Sequence, residues 1–276
     1  MAQVIVYGPN GARTTANTEK RPGEEKSEYE RLLAGEIPGR EGFAGATQSE
    51  PLTEDYPGDY GGEDASTPIN ERESVVGVGN TGYDTKDYSD AGKASPLLLF
   101  LHGAGERGND LSMVKKWGPP KIIEKGGELP FVVVSPQCPK GTFWNSFLLK
   151  NLLDEVIEKY NVDKSRIYLT GLSMGGYGTF DLAILFPDYF AAVAPVCGGG
   201  NSSMAFRMKN IPTWVFHGKL DKAVPYQSSV EMVEALKKAG ADPLFTTLDE
   251  GNHSDAWIFA YNKAGLWEWF LKHKKE

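Results

Sequence analysis

Cysteine is nearly absent from this chain: Cys138 and Cys197 are the only two in 276 residues. A fold stapled by several disulfides is thereby excluded, and neither cysteine has a His or Cys neighbour at metal-ligand spacing. Two thiols and one bridge fit equally well, so the redox compartment stays open. Long apolar runs are missing too. Nothing approaches the roughly 18–20 apolar residues that span a bilayer, so no membrane span is expected. The chain does not open on a basic segment followed by an apolar one. No signal peptide is therefore expected, and a cytoplasmic location is the default, with secretion as the alternative. Basic surplus is also lacking. The net charge is −8, and residues 1–95 carry eighteen acidic against nine basic residues. The remainder is close to neutral and has no basic stripe, so nucleic acid is not an expected partner.

What is present is enough apolar material for a core, 40% of the residues. It is unevenly placed. Residues 1–82 form an acidic segment rich in Gly, Glu, Asp, Ser and Thr, a composition that leans towards weak order. Its apolar pieces are short, Val4-Ile5-Val6-Tyr7 and Val75-Val76-Gly77-Val78. Divergent edge strands are the other reading of this segment. Residues 83–276 form the second unit. Strands are expected at Leu97–Leu101, Phe131–Ser135, Arg166–Thr170, Ala191–Val196, Thr213–Phe216 and Leu244–Leu248. Helices are expected at Asn151–Tyr160, Met174–Phe186, Ser228–Ala239 and Asp255–Lys272. Leu152, Leu153, Val156, Ile157 and Tyr160 recur at helical spacing, as do Val230, Val233 and Leu236. Apolar strands alternating with helices imply a mostly parallel sheet covered on both faces.

The most informative stretch is Gly171-Leu172-Ser173-Met174-Gly175. A serine between glycines, after an apolar strand and before a helix, is the nucleophile elbow of the α/β-hydrolases. The bare pattern also occurs in ordinary loops, so its partners decide the matter. A serine hydroxyl needs a base within hydrogen-bond reach, and the base needs an orienting acid. In this fold the chain order is Ser, then Asp or Glu, then His.

Asp221 is the acid candidate. It follows the apolar run Thr213–Phe216, in the loop at the carboxyl end of a strand, where the ligand and catalytic groups of open α/β sheets collect. An aspartate that only steadies a turn before Val224-Pro225 is the competing reading. Asp249, Glu250 and Asp255 compete by nearness to the base; Asp255 suits a helix cap better. Four histidines exist: His102, His217, His253 and His273. His102 and His217 end strands within His-Gly pairs and suit packing or loop bonding. His273 lies among lysines in the terminal tail. His253, on a loop after the acid and before the last helix, remains as the base.

Leu97–Leu101, the most hydrophobic run, leads into His102-Gly103-Ala104-Gly105-Glu106-Arg107-Gly108. A Gly-rich loop there exposes backbone amides, and those of Ala104 and Met174 are the oxyanion-hole candidates. A phosphate cradle is the rival reading. The loop lacks both the Gly-Lys-Ser/Thr ending of a P-loop and the spacing of a dinucleotide fingerprint.

These motifs stand in a fixed order: Leu101 to Gly108, Ser135-Pro136-Gln137-Cys138-Pro139, Gly171 to Gly176, His217-Gly218 with Asp221 and Val224-Pro225, and Gly251-Asn252-His253. As a set they resemble the bacterial esterases of the α/β-hydrolase superfamily often labelled predicted peptidases. Relatives of that group are the phospholipase/carboxylesterases, feruloyl esterases and polyhydroxybutyrate depolymerases. The resemblance spans about residues 83–276. It implies an α/β-hydrolase fold with Ser173 as nucleophile, Asp221 as acid, His253 as base, and Ala104 and Met174 as oxyanion amides. Those are the residues the local reading selects. Family members usually begin with two or three antiparallel edge strands; no convincing ones stand out here.

The expected activity is a serine carboxylesterase acting on short-chain or aryl esters, small or polymer-attached, with no metal or organic cofactor. Peptidase or amidase action on the same triad is an alternative, as is a non-catalytic binding protein on a hydrolase scaffold. A partner-binding role for the acidic segment would coexist with catalysis. Val196 to Thr213 leaves no room for a cap domain, so an open site is expected. Trp144 and Trp257 are candidates for aromatic walls that bind substrate.

Overall fold

A computed structural model describes residues 4–9, 13–16 and 94–276 of the chain. Among the described residues, eight strands form one sheet in the order β2-β1-β4-β3-β5-β6-β7-β8. They are β1 Val4–Tyr7, β2 Arg13–Ala16, β3 Ser95–Leu101, β4 Val132–Pro136, β5 Val162–Leu172, β6 Ala192–Val196, β7 Trp214–Gly218 and β8 Leu244–Leu248. The six strands from β3 to β8 run parallel, and β1 pairs antiparallel with both β2 and β4. The helices are α1 Gly118–Glu124, α2 Ser146–Lys159, α3 Met174–Leu185, α4 Tyr226–Lys238, α5 His253–Asn262 and α6 Leu266–Leu271. This is the α/β-hydrolase architecture expected from the motifs, with no large cap among the described residues.

Strands β3, β4 and β6 are buried nearly throughout and largely apolar, without alternation, because both faces of the sheet are covered there. Side chains of β3 divide in turn between two buried layers. Leu97, Leu99 and Leu101 join α2, α3 and α4 on one face, with Leu153, Phe180 and Met232. Leu98 and Phe100 join α1, α5 and α6 on the other, with Ile123, Tyr261 and Phe270. The period of two along a strand makes this partition automatic.

Several expected boundaries move. The apolar tetrapeptide Val4–Tyr7 is a buried strand, lying in register with Val133–Pro136 of β4. Residues 17–93, including Val75–Val78, lie outside the described residues. Helix α2 begins at Ser146 rather than Asn151, because Asn145 caps it by accepting from the Phe147 and Leu148 amides. The single helix expected over Asp255–Lys272 is two, broken at Gly265, whose φ of 71° lies in the left-handed region. Helix α1, not among the expected helices, starts on Gly118-Pro119-Pro120, and prolines suit the first helical turn. Cys138 and Cys197 are two free buried thiols. Among the described residues no helix is long and apolar enough to cross a membrane.

The chain leaves β3 for β4 on one side and reaches β5 on the other. Such a switch point opens a crevice at the carboxyl edge of the strands. Ala104, Ser173, Asp221 and His253 follow β3, β5, β7 and β8 respectively, so all four emerge at that edge.

Candidate active site

Ser173 has φ 55° and ψ −118°, a backbone conformation that L-residues rarely adopt. Three hydrogen bonds hold it there. Its amide donates to the Val196 carbonyl at 2.9 Å, and its carbonyl accepts from Gly176 and Tyr177 in the first turn of α3. The flanking glycines follow from the tightness of the turn. A β-carbon at Gly171 would overlap the main chain of Gly175, and one at Gly175 would overlap the carbonyl of Leu101. The serine is half-buried, with its side chain held at the sheet edge.

His253 stands at the first position of α5 rather than on a loop. Asn252 caps that helix, its side chain accepting from the Ser254 and Asp255 amides, while Asp255 accepts from the Asn252 amide. Asp255 is therefore committed to the cap. Asp249 is 2.8 Å from Lys219 Nζ, and Glu250 is exposed. Asp221 alone of the four acids reaches the ring: His253 Nδ1 donates to its Oδ2 at 2.6 Å. On the other side, His253 Nε2 is 3.0 Å from Ser173 Oγ. With Nδ1–H directed at the carboxylate, Nε2 of the neutral ring presents its lone pair to the serine hydroxyl.

Asp221 is fixed by more than His253. Its Oδ1 accepts from the Ala223 and Val224 amides at 2.8 and 2.9 Å. His217 Nε2 lies 3.1 Å from Oδ2, and the carboxylate has no exposed surface. Burial alone would push its pKa up. The bonds to His217, His253 and the Val224 amide outweigh burial and hold the carboxyl well below the usual carboxylate range. The loops after β7 and β8 are pressed together. Gly218 meets the carbonyls of Gly251 and Asn252 where a β-carbon would stand, so Asp221 and His253 arrive side by side.

The oxyanion candidates both head helical turns. Ala104 opens the 3-10 turn Ala104–Glu106, and Met174 opens α3. The first amides of a helix have no acceptor within it and carry the positive end of its dipole, which suits a developing alkoxide. The loop bearing Ala104 is held from beneath. His102 Nδ1 donates to the Gly103 carbonyl at 2.6 Å, and its Nε2 accepts from the Cys138 amide at 3.0 Å. Burial lowers the His102 pKa to about 4, the Gly103 bond opposing and Arg107 assisting, so the ring is neutral at physiological pH. Glu106 is buried beside it, and that burial raises its carboxyl against the pull of the Gly103 amide and Lys116. Arg107 Nε donates to the Ala104 carbonyl at 3.0 Å.

The two tryptophans sit differently. Trp144 donates its indole N–H to the His102 carbonyl at 3.1 Å and packs edge-on against the His102 ring. Trp257 packs edge-on against His253, with ring centroids 4.8 Å apart. It also lines a cleft of about 480 Å³ together with Trp117, Lys121 and Tyr261. The role of His217 beside Asp221 was not legible in sequence beyond its His-Gly pair.

A serine, a histidine and an aspartate linked in series beside two helix-heading amides can carry acyl transfer. Comparison with known proteins agrees on the fold and family. The chain is 31% identical over 144 residues to a bifunctional acetylxylan esterase/xylanase of Neocallimastix patriciarum, covering 48% of this chain and 20% of that protein. It is 41% identical over 122 residues to a poly(3-hydroxyalkanoate) depolymerase C of Paucimonas lemoignei, covering 38% and 28%. The chain thus spans about a fifth to about a quarter of the length of these relatives. A crystal structure of a thermostable esterase superposes with a TM-score of 0.58 at 32% identity, covering 66% of this chain and 56% of that one. The model of the Esterase family, described as putative esterases, matches residues 86–258, more than half of the sequence, and the chain belongs to that family.

Proposed function

We propose that the chain is a serine carboxylesterase working through an acyl-enzyme. The observation that carries this reading is the series of contacts from Ser173 Oγ to His253 Nε2 at 3.0 Å and from His253 Nδ1 to Asp221 Oδ2 at 2.6 Å. His253 takes the Ser173 proton as Oγ bonds to the ester carbonyl carbon. The carbonyl oxygen becomes an alkoxide, held by the Ala104 and Met174 amides. On collapse the ester C–O bond breaks, and His253 gives its proton to the leaving alcohol. Water then attacks the acyl-enzyme with His253 as base, and Ser173 is regenerated. Asp221 holds the imidazole tautomer and stabilises the imidazolium between steps. His253 carries every proton in this cycle, so no metal or organic cofactor enters it.

The substrates proposed are short acyl or aryl esters, including esters borne on a polymer. Two things support this choice. Relatives are named for acetylated xylan and for polyhydroxyalkanoates. Between β6 and β7 only the 3-10 helix Ser202–Met208 intervenes among the described residues, leaving the half-buried Ser173 open to bulky esters. Trp257, beside His253, and Trp144, behind the Ala104 loop, are the aromatic neighbours proposed for a planar acyl group.

The test is a panel of acetyl and feruloyl p-nitrophenyl esters and acetylated xylan, assayed with wild type and Ser173→Ala. Turnover by wild type and a loss on the order of 10⁴–10⁶ in the variant are expected. Comparable rates would remove Ser173 from the mechanism.

A further inference from the structure

His217 lies in β7 with no exposed surface, and every polar atom of its ring is engaged. Nε2 is 3.1 Å from the Val224 carbonyl and 3.1 Å from Asp221 Oδ2. An amide carbonyl and an ionised carboxylate only accept, so Nε2 carries a hydrogen. Nδ1 is 2.7 Å from Ser229 Oγ, and that hydroxyl donates to the Gly198 carbonyl at 2.8 Å. A hydroxyl has one hydrogen. Committed to Gly198, it shows His217 only lone pairs, so Nδ1 carries a hydrogen as well. Either neutral tautomer would set acceptors against each other. Turning the Ser229 hydrogen towards Nδ1 would strand the Gly198 carbonyl against an oxygen.

We propose that His217 is held as a buried imidazolium and is a positioning residue for Asp221, setting the pH at which His253 becomes free to act as a base. The second half rests on the Ser173–His253–Asp221 reading above. Asp221 then lies between two histidines on Oδ2 and two amides on Oδ1, and its carboxylate has no freedom to rotate. A fixed positive charge on the far side of Asp221 opposes a second one on His253, so the base is unprotonated at lower pH than it would be otherwise. Among the described residues, few groups face His217. They are Asp221 on its own loop, Cys197 at the end of β6, Tyr226 and Ser229 on α4, and, across Asp221, His253 on α5. Burial, with Asp221 nearby, raises the Cys197 thiol well above its usual value, so the negative charge in the group is that of Asp221.

The same protonation argues against a metal at this point. Cys197, His217 and Asp221 bring ligand atoms within 4.8 Å of one another. A metal here would have to displace a hydrogen from the His217 ring and another from the thiol, which burial keeps protonated.

Long-range proton–nitrogen correlation spectra of the full chain, labelled with 15N-histidine, test the first half. The signals are assigned with His217→Gln. Both ring nitrogens of His217 are expected to be protonated at neutral pH, in wild type and in Ser173→Ala alike. A bare nitrogen on His217 overturns the proposal. The pH profile of kcat/KM tests the second half. In His217→Gln, which keeps a neutral donor, the acidic limb should move to higher pH by on the order of one unit. An unmoved limb in a folded, active variant overturns the link to His253. Undiminished turnover by Ser173→Ala would sink the triad instead, leaving the His217 spectrum standing.

Discussion

Gly175, at the second position of α3, lies so close to Leu101 at the end of β3 that a β-carbon on the glycine would overlap the leucine carbonyl oxygen. The contact joins the strand that leads to Ala104 with the helix that follows Ser173, so it sets the spacing of the proposed oxyanion amides. Gly175→Ala has no flexible side chain to push aside. It should cost about 3 kcal/mol, the upper part of the range for overpacking, and abolish most turnover. Urea unfolding and ester hydrolysis measure the two effects. An unchanged midpoint with full activity would show that the backbone yields at no cost.

The two aspartates near His253 should respond differently. Asp221 holds the imidazole, whereas Asp255 closes the cap of α5. Asp221→Asn, which presents the wrong partner to Nδ1–H, should lower kcat by roughly 10³–10⁴. Asp255→Asn should leave kcat within a few-fold and lower stability by about 1 kcal/mol. Steady-state kinetics on one p-nitrophenyl ester with both variants decides. Equal losses would mean that the cap, rather than the carboxylate at 221, governs the ring.

Asn252 gives a graded version of the same relationship. Its side chain accepts from Ser254 and Asp255, fixing the helix whose first residue is His253. Asn252→Ala should cost about 1 kcal/mol of stability. It should also reduce kcat more than it raises KM, because a frayed first turn swings the imidazole away from Ser173. A rise in KM alone would place Asn252 in substrate binding.

These residues also show what a sequence discloses. The parallel strands were legible because full burial on both faces leaves uninterrupted runs such as Leu97–Leu101. That Ser173, Asp221 and His253 would meet was legible because chain order and strand-end position narrow the choice. Strand β1 was not, since four apolar residues gain meaning only from pairing with β4, more than a hundred residues away. The break at Gly265 was missed because apolar spacing continues across it into Leu266 and Phe270. His217 reads in sequence as packing or loop bonding because its two decisive neighbours, Ser229 and Gly198, meet it only through the fold.

His102 should leave a mark on stability against pH. Burial sets its folded pKa at about 4, below the 6.5 of an unhindered histidine. Between those values the unfolded chain binds the proton that the folded chain refuses, so stability rises with pH across the window. The contribution is complete above about pH 6.5 and is lost as pH falls towards 4, amounting to about 3 kcal/mol. Glu106 acts with the opposite sign, since burial raises its carboxyl and its contribution falls as pH rises. Asp221, whose carboxyl is depressed, contributes only losses below its unfolded value of 3.8. Comparing variants isolates the histidine. His102→Gln keeps one donor for Gly103 and one acceptor for Cys138 but does not titrate. Its Tm should therefore fall less steeply than that of wild type between pH 6.5 and 4, and in parallel with it below pH 4. Superimposable slopes across the whole range would show that the ring beneath the Ala104 loop takes up its proton as freely folded as unfolded.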